Sequence, residues 1–403
     1  MPNTDKYLHQ YAESEVNFLE DFPPHFSYEN SIVIPAYNES HQFISNFINS
    51  KLSNEKVLLI VVINQPVNNS NIEIQIQLDR KICSFGKLQW QYKNLSLIEL
   101  SKVCANVLVV DRYSGSNKIP DKQGVGLARK IGADIATALI KKNIIKSNWI
   151  CSTDADAHLP NNYFSVLINL PKKVSAAIYE FSHIDNNNPL STATQHYEKA
   201  LRYYVSGLKW AGSKCAFHTI GSTLAFRKDY YSEVRGFPKR SAGEDFYLLN
   251  KLAKLADIKL IKKAVINIEP RVSDRVPFGT GPAVAKILAL KNLDDYHYYN
   301  PQLFSELKNC LLALDSFWDN RNNYQHWYSS LSEPTQFGLE QLRFNRLIEH
   351  LLNQNTNKQQ TLVQINQWFD AFRTLKFIHY LQENSYPPIP LEQALKINPF
   401  DLK

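Results

Sequence analysis

An open, mostly parallel α/β sheet flanked by helices, followed by a helical C-terminal appendage, is the architecture this sequence predicts. Three observations carry it. Strand-like apolar runs at 31–34, 57–63, 107–110 and 149–152 alternate with helix-period segments. The run 57–63 is continuous and rich in β-branched residues, as a strand buried on both faces requires. From about residue 301 onward, helix-period apolar residues dominate.

In chain order, the first thirty residues are mixed and aromatic, with Pro23 and Pro24 as a break. The strand 31–34 is expected to stop at Pro35, and Phe43, Ile44, Phe47 and Ile48 follow at helical spacing. The strand 57–63 ends at Asn64, and a helix between two parallel strands implies a right-handed crossover. Residues 68–100 are polar and Asn-rich, with short mixed segments. The strand 107–110 ends at Asp111, the span 124–140 places Leu127, Ile131, Ile135 and Leu139 on one helix face, and the strand 149–152 runs into Thr153-Asp154-Ala155-Asp156. Further helices are expected around 195–205 and from Glu244, and the polar tract 353–360 reads as a loop between C-terminal helices. The domain boundaries expected are an N-terminal extension 1–27, an α/β domain 28–295 divided near 160, and a helical region 296–403.

Composition narrows the function classes. With 403 residues, 44% apolar and 21% charged, the chain is a folded globular protein rather than a disordered or collagenous one. No apolar run approaches the ~20 residues of a membrane span, and no signal-peptide pattern opens the chain. A net charge of +7 favours anionic partners, but the basic residues are scattered, so nucleic acid is not expected. Five dispersed cysteines without a Cys-x-x-Cys pair suggest reduced thiols, mostly filling core, in a cytoplasmic protein, with peripheral contact at the inner membrane face compatible.

In such sheets the ligand site lies beyond the carboxyl ends of the strands, where Pro35, Asn64, Asp111 and Asp154 all fall. Asp154 and Asp156, alternate residues leaving a strand, can aim two carboxylates at one divalent cation whose other ligands are phosphate oxygens. The bland alternative is a surface turn with two solvated aspartates.

The ordered set Ser31 to Glu39 (Ser-Ile-Val-Ile-Pro-Ala-Tyr-Asn-Glu), Gly124 to Arg129 (Gly-Val-Gly-Leu-Ala-Arg), Thr153 to Asp156 and Gly243-Glu244-Asp245 resembles family 2 glycosyltransferases of the GT-A fold over residues 28–290. The resemblance implies a metal-dependent hexosyltransferase that moves one sugar from a nucleotide-sugar to an acceptor hydroxyl with inversion. It implies that Pro35, Ala36, Tyr37 and Glu39 hold the base and ribose by stacking and carboxylate–hydroxyl hydrogen bonds. The alternative there is a β-to-α turn with Asn38 or Glu39 capping the helix. At Asn64 the family usually has an acid, whereas an amide both donates and accepts. Gly124 implies a glycine turn admitting an anion at a helix N-terminus, with Lys122 or Arg129 adding charge. Asp154 and Asp156 are the implied ligands of Mn²⁺ or Mg²⁺, with His158, His183, His218 and His297 all open as a third ligand. Asp245 is the implied base and Glu244 its neighbour, against the alternative of two helix N-terminal acids. Residues 221–227 resemble the acceptor-side segment. Arg271 and Arg275, in a basic loop with Gly279 and Gly281, can close over a diphosphate or grip a phosphorylated or acidic acceptor, against the equal alternative of a domain-crossing loop with surface arginines.

The acceptor expected is a hydroxyl-bearing glycan, lipid-linked or phosphorylated molecule. The chain lacks a Gln-x-x-Arg-Trp motif and membrane helices, which favours single-sugar transfer over polymerisation. Two other readings are a nucleotide-sugar-binding protein without transfer activity and a nucleotidyltransferase, although the latter calls for a lysine-rich first turn that is absent.

Overall fold

The computed structural model describes residues 4–273, 279–354 and 356–401. They form two compact units, one of residues 4–186, 219–273 and 279–282, the other of 187–218, 283–354 and 356–401.

The first unit is built on a ten-stranded sheet. Its strands are β1 (Asn30–Ala36), β2 (Val57–Asn64), β3 (Gly86–Tyr92), β4 (Leu95–Leu100), β5 (Asn106–Arg112), β6 (Trp149–Ser152), β7 (Ala157–His158), β8 (Val174–His183), β9 (Leu224–Arg227) and β10 (Asp257–Ile268). Their order is β3-β4-β5-β2-β1-β6-β9-β8-β10-β7. Seven strands (β1, β2, β3, β5, β6, β8, β10) run one way and three (β4, β7, β9) the other. Every residue of β2 is buried, as its unbroken apolar run requires, because strands flank it and layers cover both faces.

The structure departs from the sequence expectations in instructive places. Pro35 does not end β1: it pairs in register with Val62 of β2. On the other side, β6 meets β1 only at Ile32 and Val33, so the missing proline N–H costs no ladder bond there. Residues 68–100 hold the helix Glu73–Ser84 and the β3–β4 hairpin, which extends the sheet at one edge. Cys151 and Cys310 are buried, but Cys83 and Cys104 are exposed, so the cysteines are not mostly core fillers.

The N-terminal residues belong to the first unit. Tyr7 is 2% exposed, and its hydroxyl donates to Asp134 Oδ1, while the Glu13 N–H donates to Asp134 Oδ2 at 2.9 Å. Asp134 sits on the helix Gly124–Lys141, which packs on β1 and β2.

The second unit is helical. Its core gathers Tyr203, Phe304, Leu307, Cys310, Phe317, Phe344, Phe377 and Leu381. Residues 187–218, expected in the catalytic domain, group here because the helix Pro189–Trp210 gives Ala200, Tyr203 and Leu208 to this core. Asn188 and Ser191 close a capping box at its start. The tract 353–360 is only partly loop: Asn357 and Gln360 form a second capping box that opens the helix Lys358–Trp368. No helix among the described residues is long and apolar enough to cross a membrane.

Candidate active site

The seven co-directional strands bring their carboxyl ends to one edge of the sheet, and β9, running oppositely, brings its amino end there. That edge collects Ala36, Asn64, Tyr92, Arg112, Ser152, His183 and Ile268, with the segment 221–223 ahead of β9. Most of the residues singled out from sequence follow one of these ends.

The centre is Arg129, on the second turn of the helix Gly124–Lys141 and 3% exposed. Its Nε donates to Glu244 Oε1 at 2.7 Å, Nη1 to Ser152 Oγ at 2.9 Å and Nη2 to Asp154 Oδ1 at 2.6 Å. Burial alone works against its charge, but Asp154 and Glu244 outweigh burial and raise its pKa above the ordinary value. Gly221 makes room for it: a Cβ there would lie 2.2 Å from Arg129 Nη2. Thr153 Oγ1 donates to the Ser222 carbonyl at 2.9 Å, tying the Asp-x-Asp turn to this segment.

Glu244 and Asp245 open the helix Glu244–Leu252, and Asp245 Oδ1 accepts the Phe246 N–H at 2.7 Å. Burial, then the charge of Glu244, pushes Asp245 up to about 7; the Phe246 N–H and Arg129 act in the opposite direction. Glu244 is therefore no simple helix-terminal acid, since it is 4% exposed and bound to a guanidinium 115 positions earlier.

Arg271 makes the second cluster. Its Nη1 donates to Glu39 Oε1 at 2.7 Å, and its Nε lies 2.6 Å from Asp156 Oδ2. Asp156 is pushed up to about 6 by burial, with Asp154 and Glu39 adding to the shift and Arg271 opposing it. The two aspartates are thus not a solvated turn, because each pairs with a different arginine.

The remaining expectations divide. Glu39 and Asn38 do not cap the following helix; Ser40 Oγ accepts the Gln42 N–H, and Asn38 Oδ1 accepts from Gln75 Nε2. Tyr37 is half-buried, and its hydroxyl accepts from Asn69 Nδ2 at 3.2 Å. Asn64 is 5% exposed, with its amide nitrogen donating to the carbonyls of Ala36 and Val62 at 3.3 Å, so it ties two strand ends together and offers no open edge to a base. The Gly124 N–H donates to the Pro120 carbonyl at 3.2 Å, and its missing side chain makes room for the chain itself: a Cβ there would lie 2.7 Å from Ser241 Cα, and one at Gly126 would lie 2.5 Å from Pro238 O. The chain itself fills that cradle, and the Gly126 N–H donates to Arg240 O at 2.9 Å. Asp111 caps its own turn, accepting the N–H groups of Tyr113 and Ser114. Arg275 lies outside the described residues. Arg271 was singled out with Arg275 in the basic loop, and Gly221 lies in the expected acceptor-side segment 221–227; Ser152 was not among the residues singled out for the site.

A hard divalent cation takes oxygen ligands, and Asp154 and Asp156 supply them. Among the described residues no three His, Cys, Asp or Glu side chains group to hold a metal ion. His158 is instead paired with Glu269, their Nε2 and Oε1 2.9 Å apart. The donor set fits a cation whose remaining ligands are phosphate and water, provided Arg271 leaves Asp156.

No protein-family model matches the chain. No curated protein matches its sequence. Among solved structures, S. aureus TarS (residues 1–349) in complex with UDP-GlcNAc is similar at 10% identity, over 84% of this chain and 89% of that one, with a TM-score of 0.38. The mannosyltransferase PcManGT from Pyrobaculum calidifontis, in complex with GDP-Man and Mn²⁺, is similar at 14% identity over 90% and 89%, with a TM-score of 0.36. GalNAc-T7 with UDP, GalNAc and Mn²⁺ is similar at 11% identity over 90% of this chain and 59% of that one, with a TM-score of 0.38. At these identities and scores the chemistry has to be read from this chain's own residues.

Proposed function

We propose that this chain is a GT-A-type glycosyltransferase that moves a single sugar from a nucleotide-sugar donor to an acceptor hydroxyl. The observation that carries the reading is the meeting, at the carboxyl edge of the sheet, of Asp154 and Glu244 on one buried guanidinium, with Asp245 beside them. Three motifs distant in sequence converge there, in the order the family resemblance implies.

In this reading Asp245 is the base. A carboxyl whose pKa lies near 7 can take a proton from an acceptor hydroxyl at working pH. Glu244 and Asp154 are held rigid by Arg129, which keeps Asp245 at a set distance from the donor site. Attack opposite the leaving diphosphate inverts the anomeric carbon. Glu39 and Tyr37 face the nucleoside. Asp154 and Asp156 would hold a divalent ion, Mn²⁺ or Mg²⁺, which would supply positive charge against the diphosphate. The acceptor class, hydroxyl-bearing glycan, lipid-linked or phosphorylated molecule, is part of the proposal, as are a catalytic domain carried by the first unit and a cytoplasmic setting.

The test is thermal melting of the purified chain with Mn²⁺ against a panel of nucleotide-sugars, followed by an assay of nucleoside diphosphate release with sugar acceptors. A stabilising nucleotide that is consumed only when an acceptor is present supports transfer. Stabilisation without turnover under any acceptor favours a binding protein, and no stabilisation by any nucleotide overturns the reading.

A further inference from the structure

We infer that Arg271 is a competing cation on Asp156, which the donor diphosphate draws away, so that nucleotide and divalent ion bind cooperatively. The inference rests on the nucleotide-sugar reading above and goes beyond it to the order in which the site is filled.

Charge supplies the first argument. Four carboxylates (Glu39, Asp154, Asp156, Glu244) meet two guanidiniums (Arg129, Arg271) in this site. Arg129 is locked: it is 3% exposed and bonded to two carboxylates and the Ser152 hydroxyl. Arg271 is the replaceable one, 32% exposed and contributed by the segment just beyond β10. A divalent ion approaching Asp156 meets a guanidinium already 2.6 Å from Oδ2. The two cations repel, and one carboxylate oxygen cannot serve both at full strength.

Geometry supplies the second. The Glu269 N–H donates to the Asp156 carbonyl at 2.9 Å, and β10 pairs with β7 through Asn267 and Ile268, so the backbone delivering Arg271 is anchored beside the Asp-x-Asp turn. Only the side chain has to swing. Its contacts to Glu39 and Asp156 use Nη1 and Nε, and the planar fork suits two phosphate oxygens. A diphosphate thus removes the competitor and contributes ligands in the same event. Arg271 is a positioning residue in this scheme.

The experiment titrates Mn²⁺ alone, by electron paramagnetic resonance of the free ion, into the wild-type chain, Arg271→Gln and Arg271→Lys, with melting curves confirming that each folds. It is then repeated with each nucleoside diphosphate of a panel. Losing a charge-assisted hydrogen bond that competes for Asp156 should tighten Mn²⁺ binding by Arg271→Gln about tenfold or more without nucleotide. The charge-retaining Arg271→Lys should stay near wild type, and the mutual strengthening of nucleotide and Mn²⁺ should shrink in Arg271→Gln. Equal or weaker Mn²⁺ binding by Arg271→Gln, with nucleotide still bound by the wild type, overturns this inference alone. No nucleoside diphosphate bound by any of the three, with or without Mn²⁺, overturns the donor reading and this inference together.

Discussion

Arg129 and Lys130 are neighbours on one helix, and each anchors a buried charge cluster on a different side of it. Arg129 joins Asp154 and Glu244 at the carboxyl edge of the sheet. Lys130 donates to Asp134 Oδ2 and to the Tyr7 hydroxyl, each at 2.9 Å, and the Tyr231 hydroxyl donates to Asp134 Oδ1 at the same distance. Both clusters centre on buried side chains, and both shift titrations. Burial, then the charges of Tyr231 and Asp134, raises Tyr7 above its ordinary value, and burial, with Lys130 and Arg235 adding repulsion, pushes nearby Lys251 down to about 8. Perturbed titration therefore does not separate function from structure here. Position does. The Lys130 cluster fastens the N-terminal residues to the helix, whereas the Arg129 cluster stands where strand ends open toward a ligand.

That contrast breaks apart under mutation. Asp245→Asn should lower transfer by roughly 10²- to 10⁴-fold, the usual worth of a general base, while leaving the nucleotide-induced rise in melting temperature in place. Parallel loss of both would move Asp245 out of the base role. Asp134→Asn should do the reverse. It removes the counter-charge of a buried lysine and should cost about 3–5 kcal/mol of unfolding free energy in denaturant titration, with turnover per folded molecule unchanged. A loss of turnover greater than the loss of folded protein would merge the two clusters into one functional unit.

Smaller effects sharpen the comparison. Asn64→Asp replaces the amide donor to the Ala36 and Val62 carbonyls with an acceptor, which should cost about 1–3 kcal/mol by chemical denaturation. An improved nucleotide affinity instead would return position 64 to the base site. The smallest expected change is in the pH profile. With Asp245 titrating near 7, kcat/KM should climb through that region to a plateau on the alkaline side. Stability runs the other way: a carboxyl raised on folding from its ordinary 3.8 to about 7 leaves the folded state at its full relative stability below 3.8, and that stability is lost as pH rises through 7. Asp245→Asn should therefore flatten the melting temperature between pH 5 and 8 as it lowers turnover, and a wild-type slope retained in the variant would assign the titration elsewhere.

Local pattern carried much of the fold. The continuous run in β2, the helix spacing after Gly124 and the Glu244 helix start were all legible, because burial and capping act over a few residues. Proline at 35 misled, since its effect depends on whether a neighbouring strand asks for its N–H, and Gly124 misled because its missing side chain is filled by Ser241 rather than by a ligand. Chemistry-bearing residue types were legible as well: Asp154 was named from its place at a strand end, and Arg129, Glu244 and Asp245 from motifs that resemble those of family 2 glycosyltransferases.

Which of them meet was decided only by the tertiary structure. Arg129 reaches a glutamate 115 positions away, and Arg271 reaches Glu39 across 232. Such pairings depend on strand order and on the edge to which each turn is delivered, and no local pattern encodes either. The sequence by itself determined which residues could carry charge at the sheet's edge, through the motif at each strand end; the sheet topology decided which charges neutralise one another there, because a buried ion is stable only beside the partner that the fold supplies.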